Sequence, residues 1–81
     1  MIALTLYGRE YCGLCTSMRE QLVRLAPDRG FSVRWVDIDD DEALETRHGE
    51  WVPVLADPDD AEICHYHLDL AALDDRLAKF R

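Results

Sequence analysis

The sequence predicts an α/β fold in which helices cover both faces of a four-stranded mixed sheet. Two patterns alternate along the chain: short apolar or alternating runs, typical of strands, and apolar residues three or four apart, typical of helices. Their order is strand, helix, strand, helix, a hairpin of two strands and a final helix. The first three elements predict a right-handed βαβ unit with parallel strands, and the hairpin adds antiparallel strands in the order 2-1-3-4. With 81 residues, the chain is expected to form a single domain over residues 1–81.

The βαβ unit occupies the first half of the chain. Residues 2–7 are mostly apolar and predict a central strand. A helix is expected to begin near Cys12 or Gly13 and to end at Pro27 with the turn that follows it. Apolar and polar residues alternate over 31–35, which predicts a half-buried strand. The helix is expected to bury a face of four apolar residues: Leu14, Met18, Leu22 and Leu25.

The second half begins with a run of acids at residues 37–42, which we interpret as a loop entering a short helix, with a cation site as the alternative. Gly49 is expected to end this helix in the left-handed conformation. Residues 53–56 and 61–66 predict the two strands of a hairpin. The last helix is expected to begin at about Asp69 as its N-cap. Its inward face is expected to carry Leu70, Leu73, Leu77 and Phe80.

The charge balance disfavours two classes of partner. Nine basic and seventeen acidic residues give a net charge of −8, which disfavours nucleic acid and anionic membrane surfaces. We expect no targeting segment, and no apolar run is long enough to span a bilayer. We therefore expect an acidic, cytoplasmic protein, acting as a monomer. Its three cysteines are an odd number in a reducing compartment, which argues against a structural disulfide framework.

The stretch Cys12-Gly13-Leu14-Cys15 is the strongest chemical signal in the sequence. It follows a predicted strand and opens a predicted helix, where free backbone N–H groups and the helix dipole stabilise a thiolate. The spacing places Cys15 about one turn further along, more shielded but within disulfide distance. This pattern predicts that Cys12 attacks a substrate disulfide and that Cys15 resolves the mixed disulfide. The alternatives are inert buried cysteines or half of a zinc site, but no second such motif is present.

The third cysteine opens the stretch Cys64-His65-Tyr66-His67. With the first two cysteines and one histidine it forms a nominal zinc set, but the separation is not that of a zinc finger, so we expect no metal. The favoured interpretation is a buried strand cysteine with exposed histidines. The alternative is that His65 or His67 acts on Cys12 or on an anionic substrate.

Residues 11–15, 36–39 and 52–55 together resemble the thioredoxin superfamily, and within it the small glutaredoxin-like proteins. The resemblance covers nearly the whole chain. It implies a thiol–disulfide oxidoreductase that acts on protein or low-molecular-weight disulfides. It implies no bound cofactor, with glutathione as the candidate reductant or co-substrate. A zinc-binding structural domain and a non-catalytic interaction module with this fold are the alternative functions.

The resemblance also implies roles for individual residues. Pro53 would be cis and face the two cysteines, and Val52 would contact substrate through its backbone. Arg9 is the nearest match to the basic residue that precedes the first cysteine in glutaredoxins, where it would hold a glutathione carboxylate or favour the Cys12 thiolate; a solvated loop cation is the alternative. Tyr11, beside Cys12, would form an apolar lip for the substrate.

Three stretches depart from the family pattern. The active-site motif reads Cys-Gly-Leu-Cys where glutaredoxins usually have Cys-Pro-Tyr-Cys. Leu6 stands six residues before Cys12, where thioredoxins have a buried aspartate. Residues 64–67 replace the Gly-Gly pair of glutaredoxins with bulkier side chains, which counts against tight glutathione binding.

Overall fold

The computed structural model describes every residue from Met1 to Arg81. The elements follow the predicted order, with a short 3-10 turn added before the second helix. They are β1 (Ile2–Gly8), α1 (Gly13–Arg29), β2 (Phe31–Asp37), the 3-10 turn (Ile38–Asp40), α2 (Glu42–His48), β3 (Val54–Ala56), β4 (Glu62–His65) and α3 (Leu70–Lys79). None of these helices combines the length and the apolar character that crossing a bilayer requires.

The four strands form one sheet in the order β2-β1-β3-β4, which confirms the predicted topology. The long strands β1 and β2 run parallel, whereas β3 is antiparallel to both β1 and β4. Tyr7 near the end of β1 therefore lies opposite Val54 at the start of β3, and Val54 lies opposite His65 at the end of β4. This register brings the loops that follow β1, precede β3 and follow β4 to the same edge of the sheet.

Each face of the sheet has its own buried cluster, because successive residues of a strand point to opposite faces. Leu4 and Leu6 of β1 belong to the larger cluster, with residues from α1 and α3, and Tyr7 belongs to the smaller one. The larger cluster contains Leu4, Leu6, Met18, Leu22, Phe31, Leu55, Cys64, Leu73 and Leu77. The smaller cluster contains Tyr7, Ile38, Val54 and Ala56, with Leu44 of α2 packed against it. Burying each large side chain contributes about 1.5–3 kcal/mol, so the sheet is stabilised from both sides.

The acidic run and the last helix begin as predicted. The Asp41 carboxylate accepts hydrogen bonds from the N–H groups of Ala43 and Leu44 at 2.9 and 3.2 Å, so it is the N-cap of α2. The Asp69 carboxylate accepts from the N–H of Ala72 at 3.0 Å and caps α3. The acids at the start of α2 therefore stabilise a helix end, as the loop interpretation expects.

Helix α1 begins at Gly13 as predicted, but it differs from the prediction at its C-terminal end and in the burial of Leu14. It continues through Pro27 to Arg29 and ends at Gly30, which has a φ of +70° and donates its N–H to the carbonyl oxygen of Ala26. Proline lacks an N–H donor and its ring crowds the turn before it, but only Asp28 and Arg29 follow Pro27 in the helix. Leu14 is 42% exposed instead of buried, because it lies in the first turn at the edge of the sheet.

Two expectations in the second half are also wrong. Gly49 adopts a right-handed conformation (φ −54°, ψ −34°) rather than a left-handed one. Glycine is needed there because a Cβ atom would collide with the carbonyl oxygen of Glu45. Leu70 is 43% exposed, because the first residue of α3 lies outside the face that buries Leu73 and Leu77.

Candidate functional site

Cys12 is the N-cap of α1 and is partly exposed. Its Sγ atom accepts a hydrogen bond from the N–H of Cys15 at 3.2 Å, and its carbonyl oxygen accepts from the N–H of Thr16 at 3.1 Å. The sulfur thus takes the place that a Ser or Asp oxygen occupies in an ordinary N-cap. An accessible sulfur at a helix N-terminus is well placed to reach a substrate disulfide.

Cys15 lies one turn further and is fully buried. Burial raises the pKa of its thiol to about 11, and the hydrogen bond with Cys12 acts in the same direction. The backbone N–H and the positive charge of Arg9 offset part of that rise in the pKa. Both cysteines are free thiols. The pair is therefore asymmetric, with an outer accessible sulfur and an inner protonated one.

Gly8, at the end of β1, makes room for the inner sulfur. A Cβ atom at this position would lie 2.6 Å from Cη2 of Trp35 and 3.0 Å from Sγ of Cys15. The strand can therefore approach Cys15 only because Gly8 has no side chain. Sequence reasoning missed this residue, and the only signal for it was a glycine that ends a strand just before the cysteine motif.

The loop before β3 presents an unpaired backbone segment. The Val52–Pro53 peptide bond is cis, as the family resemblance implies. Pro53 is fully buried, and the Val52 side chain packs against the smaller buried cluster. Neither the N–H nor the carbonyl of Val52 takes part in a hydrogen bond within the chain. These two groups are free to pair with another extended chain, as the assignment of Val52 to substrate contact requires.

Three aromatic side chains cluster beside this loop. The Trp51 ring centroid lies 5.3 Å from that of His65 and 6.0 Å from that of Tyr66. Tyr66 donates its backbone N–H to the carbonyl oxygen of Pro53 at 3.0 Å and its hydroxyl to the carbonyl oxygen of Glu50 at 2.8 Å. Sequence reasoning had noted Tyr66 only as a bulky residue and had not connected it with this loop.

The aromatic cluster adjoins the helix that carries the cysteines. Leu14 and Tyr66 line the same small cleft, of about 120 Å³, together with His67. Tyr11, directly before Cys12, is fully exposed. The lip expected at Tyr11 is therefore accessible to a substrate.

Arg9 is engaged by acids of the neighbouring loop and helix. Its guanidinium lies 3.5 Å from a carboxylate oxygen of Asp39 and 3.5 Å from one of Glu45. Its Nε atom is buried without a hydrogen-bond partner. Arg9 is therefore partly buried and paired with two acids rather than free in solvent, and its positive charge acts on Cys15.

The third cysteine does not join the other two in a metal site. Cys64 lies opposite Leu55 in the sheet and is buried in the larger cluster, and this burial raises its pKa. His65 pairs through Nδ1 with the Glu62 carboxylate at 2.9 Å, and no histidine hydrogen-bonds to Cys12. No group of three or more His, Cys, Asp or Glu side chains is arranged to hold a metal ion. The nominal zinc set of the sequence is therefore not assembled.

Known structures share this architecture. Protein Ne2328 from Nitrosomonas europaea is 36% identical with a TM-score of 0.83, over 93% of this chain and 89% of that one. Protein XcR50 from X. campestris is 39% identical with a TM-score of 0.74, over 94% of this chain and 96% of that one. Thioredoxin 1 from Thermosipho africanus, at 11% identity and a TM-score of 0.65 over 96% and 92% of the two chains, shares the fold.

The family assignment agrees with the resemblance read from the cysteine and proline motifs. A search of curated proteins finds no significant match. The family model described as "Glutaredoxin-like domain (DUF836)" matches residues 3–78, which include both cysteines and the cis proline. This chain therefore belongs to the glutaredoxin-like DUF836 family and has the thioredoxin fold.

Proposed function

We propose that this protein is a thiol–disulfide oxidoreductase that uses Cys12 as the nucleophile and Cys15 as the resolving thiol. The asymmetry of the pair supports this proposal more than any other observation. The outer sulfur is accessible and capped by a backbone N–H, whereas the inner sulfur is buried and its pKa is raised to about 11. Attack therefore starts at Cys12, because the inner thiol is both shielded and protonated.

The reaction transfers two electrons from the dithiol to the substrate. The Cys12 thiolate attacks one sulfur of the substrate disulfide, which breaks that bond, forms a mixed disulfide and releases the first substrate thiolate. Cys15 then gives up its proton to that thiolate or to solvent. Its sulfur attacks Sγ of Cys12, which forms the internal disulfide and releases the second half of the substrate as a thiolate that takes a proton from solvent.

The substrate groove follows the free backbone of Val52. An extended segment beside the substrate disulfide pairs with the N–H and carbonyl of Val52, as an added strand would. Tyr11 and Trp51 are exposed and supply apolar contact on either side. Protein and low-molecular-weight disulfides are both proposed substrates. The internal disulfide is returned to the dithiol by a small thiol such as glutathione, without a bound cofactor, in the cytoplasm.

The charge of Arg9 acts on the cysteine pair rather than on a glutathione carboxylate. Its guanidinium already lies near the carboxylates of Asp39 and Glu45, which compete with any carboxylate of a ligand. The same positive charge opposes the rise in the pKa of Cys15. Arg9 thereby eases the loss of the Cys15 proton in the resolving step.

A redox titration tests the proposal directly. The protein is equilibrated in glutathione buffers of graded potential, free thiols are trapped, and the intact mass is read with mapping of each cysteine. We expect one two-electron transition on Cys12 and Cys15, with Cys64 remaining a thiol throughout. A protein whose dithiol shows no transition over this range, or whose transition involves Cys64, is not the oxidoreductase proposed here.

A further inference from the structure

Tyr66 has an unusual backbone conformation for an aromatic residue. Its φ is +61°, in the left-handed region that favours glycine and that non-glycine residues rarely enter. The only other non-glycine residue with a positive φ is Asp60, a residue type that tolerates this region better. Such conformations persist where surrounding contacts hold them in place.

Tyr66 forms hydrogen bonds with both ends of one short segment, residues 50–53. Its backbone N–H donates to the carbonyl oxygen of Pro53 at 3.0 Å, and its hydroxyl donates to the carbonyl oxygen of Glu50 at 2.8 Å. Its ring packs against those of Trp51 and His65, with centroids 6.0 and 4.8 Å away. The left-handed backbone lets one residue serve two carbonyls that are three positions apart.

Between these two anchored carbonyls lies Val52, whose N–H and carbonyl have no partner in the chain. The only other hydrogen bond to this segment runs from the N–H of Trp51 to the carbonyl oxygen of His48, at 2.8 Å. The Glu50–Trp51 peptide is therefore held by two hydrogen bonds, and the one to its carbonyl oxygen comes from a single side-chain hydroxyl, that of Tyr66. Removal of that hydroxyl would loosen this end of the segment without changing the sulfur atoms.

We propose that Tyr66 is a positioning residue for peptide disulfides, because it fixes the Val52 backbone groups that pair with the peptide chain. This inference rests on the proposed function and adds a distinction between substrate classes. A peptide disulfide has backbone amides to pair with Val52, whereas bis(2-hydroxyethyl) disulfide has none. Tyr66 therefore affects the first substrate and not the second.

The test compares Tyr66→Phe with the wild-type protein on both substrates. We expect KM for a cyclic peptide disulfide to rise about three- to tenfold, the effect of one lost hydrogen bond, with kcat nearly unchanged. We expect the rate with bis(2-hydroxyethyl) disulfide to stay the same. In the reduced protein, NMR order parameters of the Trp51 and Val52 amides should fall.

Tyr7→Phe is the matched control. The Tyr7 hydroxyl donates to the Asp60 carboxylate at 2.5 Å, so the same atom is removed from a tyrosine that makes no hydrogen bond to residues 50–53. Its KM for the peptide should equal that of the wild type, whatever its stability. If Tyr66→Phe changes both substrates equally or neither, or leaves the amide order unchanged, the inference is wrong although the proposed function stands. A wild-type protein that reduces neither substrate would instead reject the proposed function.

Discussion

The two buried thiols of this protein differ in what surrounds them. Cys15 and Cys64 are both buried, and burial is the main cause that raises the pKa of each. Cys15 lies one turn from the partly exposed Cys12, whose sulfur accepts its N–H. Cys64 instead lies in β4 opposite Leu55, within the larger hydrophobic cluster. Burial alone thus gives a protonated, shielded thiol. Such a thiol can act as a resolving thiol only where an accessible sulfur lies one turn away, as Cys12 does at the helix N-terminus.

Single substitutions of the three cysteines should produce the largest effects and should distinguish the roles of Cys15 and Cys64. Cys12→Ser should lower disulfide reductase activity by at least about a thousandfold, because no other accessible thiolate replaces the nucleophile. Cys15→Ser should accumulate the mixed disulfide between Cys12 and the substrate, because nothing displaces it. Cys64→Ala should keep its activity and lose about 1–2 kcal/mol of stability. Steady-state disulfide reduction measures the activity of all three variants. Intact mass after substrate addition detects the mixed disulfide in Cys15→Ser, and urea unfolding measures the stability of Cys64→Ala.

The Cys64→Ala variant is the internal control, because it also removes a buried thiol. Activity that survives Cys12→Ser would reject the assigned nucleophile. Activity lost in Cys64→Ala, in a variant that remains folded, would mean that the third cysteine takes part in the reaction.

The sequence allowed the prediction of the parts of this site that depend on local pattern. The strand before Cys12, the helix after it and the cysteine spacing lie within a few residues of one another, and all were found in the structure. The strand order followed from the sequence of elements and the general rules for βαβ units. The position of Asp69 as N-cap followed from its place before an apolar run.

The rest of the site depends on contacts between residues far apart in the chain. Tyr66 bonds to Glu50, and Gly8 makes room for Trp35, yet no local pattern links either pair. The exposure of Leu14 is of the same kind. Helical spacing places Leu14 on the apolar face, but only the position of the sheet edge decides whether that face is covered.

A methyl group at Gly8, in β1, should disturb Cys15 and leave Cys64 unchanged. Gly8→Ala places a Cβ atom 2.6 Å from the Trp35 ring and 3.0 Å from the Cys15 sulfur, so one of them must move. We expect a loss of about 1–3 kcal/mol in the free energy of unfolding, together with faster alkylation of Cys15 but not of Cys64. Urea unfolding and mass mapping after iodoacetamide treatment measure the two effects.

Gly13→Ala is the matched substitution, because a Cβ atom at Gly13 meets nothing within 4 Å. The same methyl group should there be neutral or slightly stabilising, since alanine favours a helix over glycine. Equal destabilisation by the two substitutions would mean that the space beside Gly8 is not what holds Cys15 in place.

Stability at alkaline pH should show what Cys15 and Cys64 have in common. An unfolded cysteine has a pKa of about 8.5, whereas burial raises the pKa of Cys15 to about 11 and also raises that of Cys64. Above pH of about 8.5 the unfolded chain releases protons that the folded protein retains. The free energy of unfolding should therefore fall as the pH rises, and for Cys15 by at most about 3 kcal/mol by pH 11.

Urea unfolding under reducing conditions, at pH 7.5 and pH 9.5, measures this slope. We expect Cys15→Ala and Cys64→Ala each to reduce the loss of stability between the two pH values, although both variants are less stable than the wild type at pH 7.5. This outcome would mean that the two thiols share the effect of burial and differ only through the sulfur beside Cys15. If the pH dependence of stability is reduced in Cys15→Ala but unchanged in Cys64→Ala, the two thiols already differ in how burial affects their protonation. The sulfur of Cys12 would then not be the sole cause of the difference between Cys15 and Cys64.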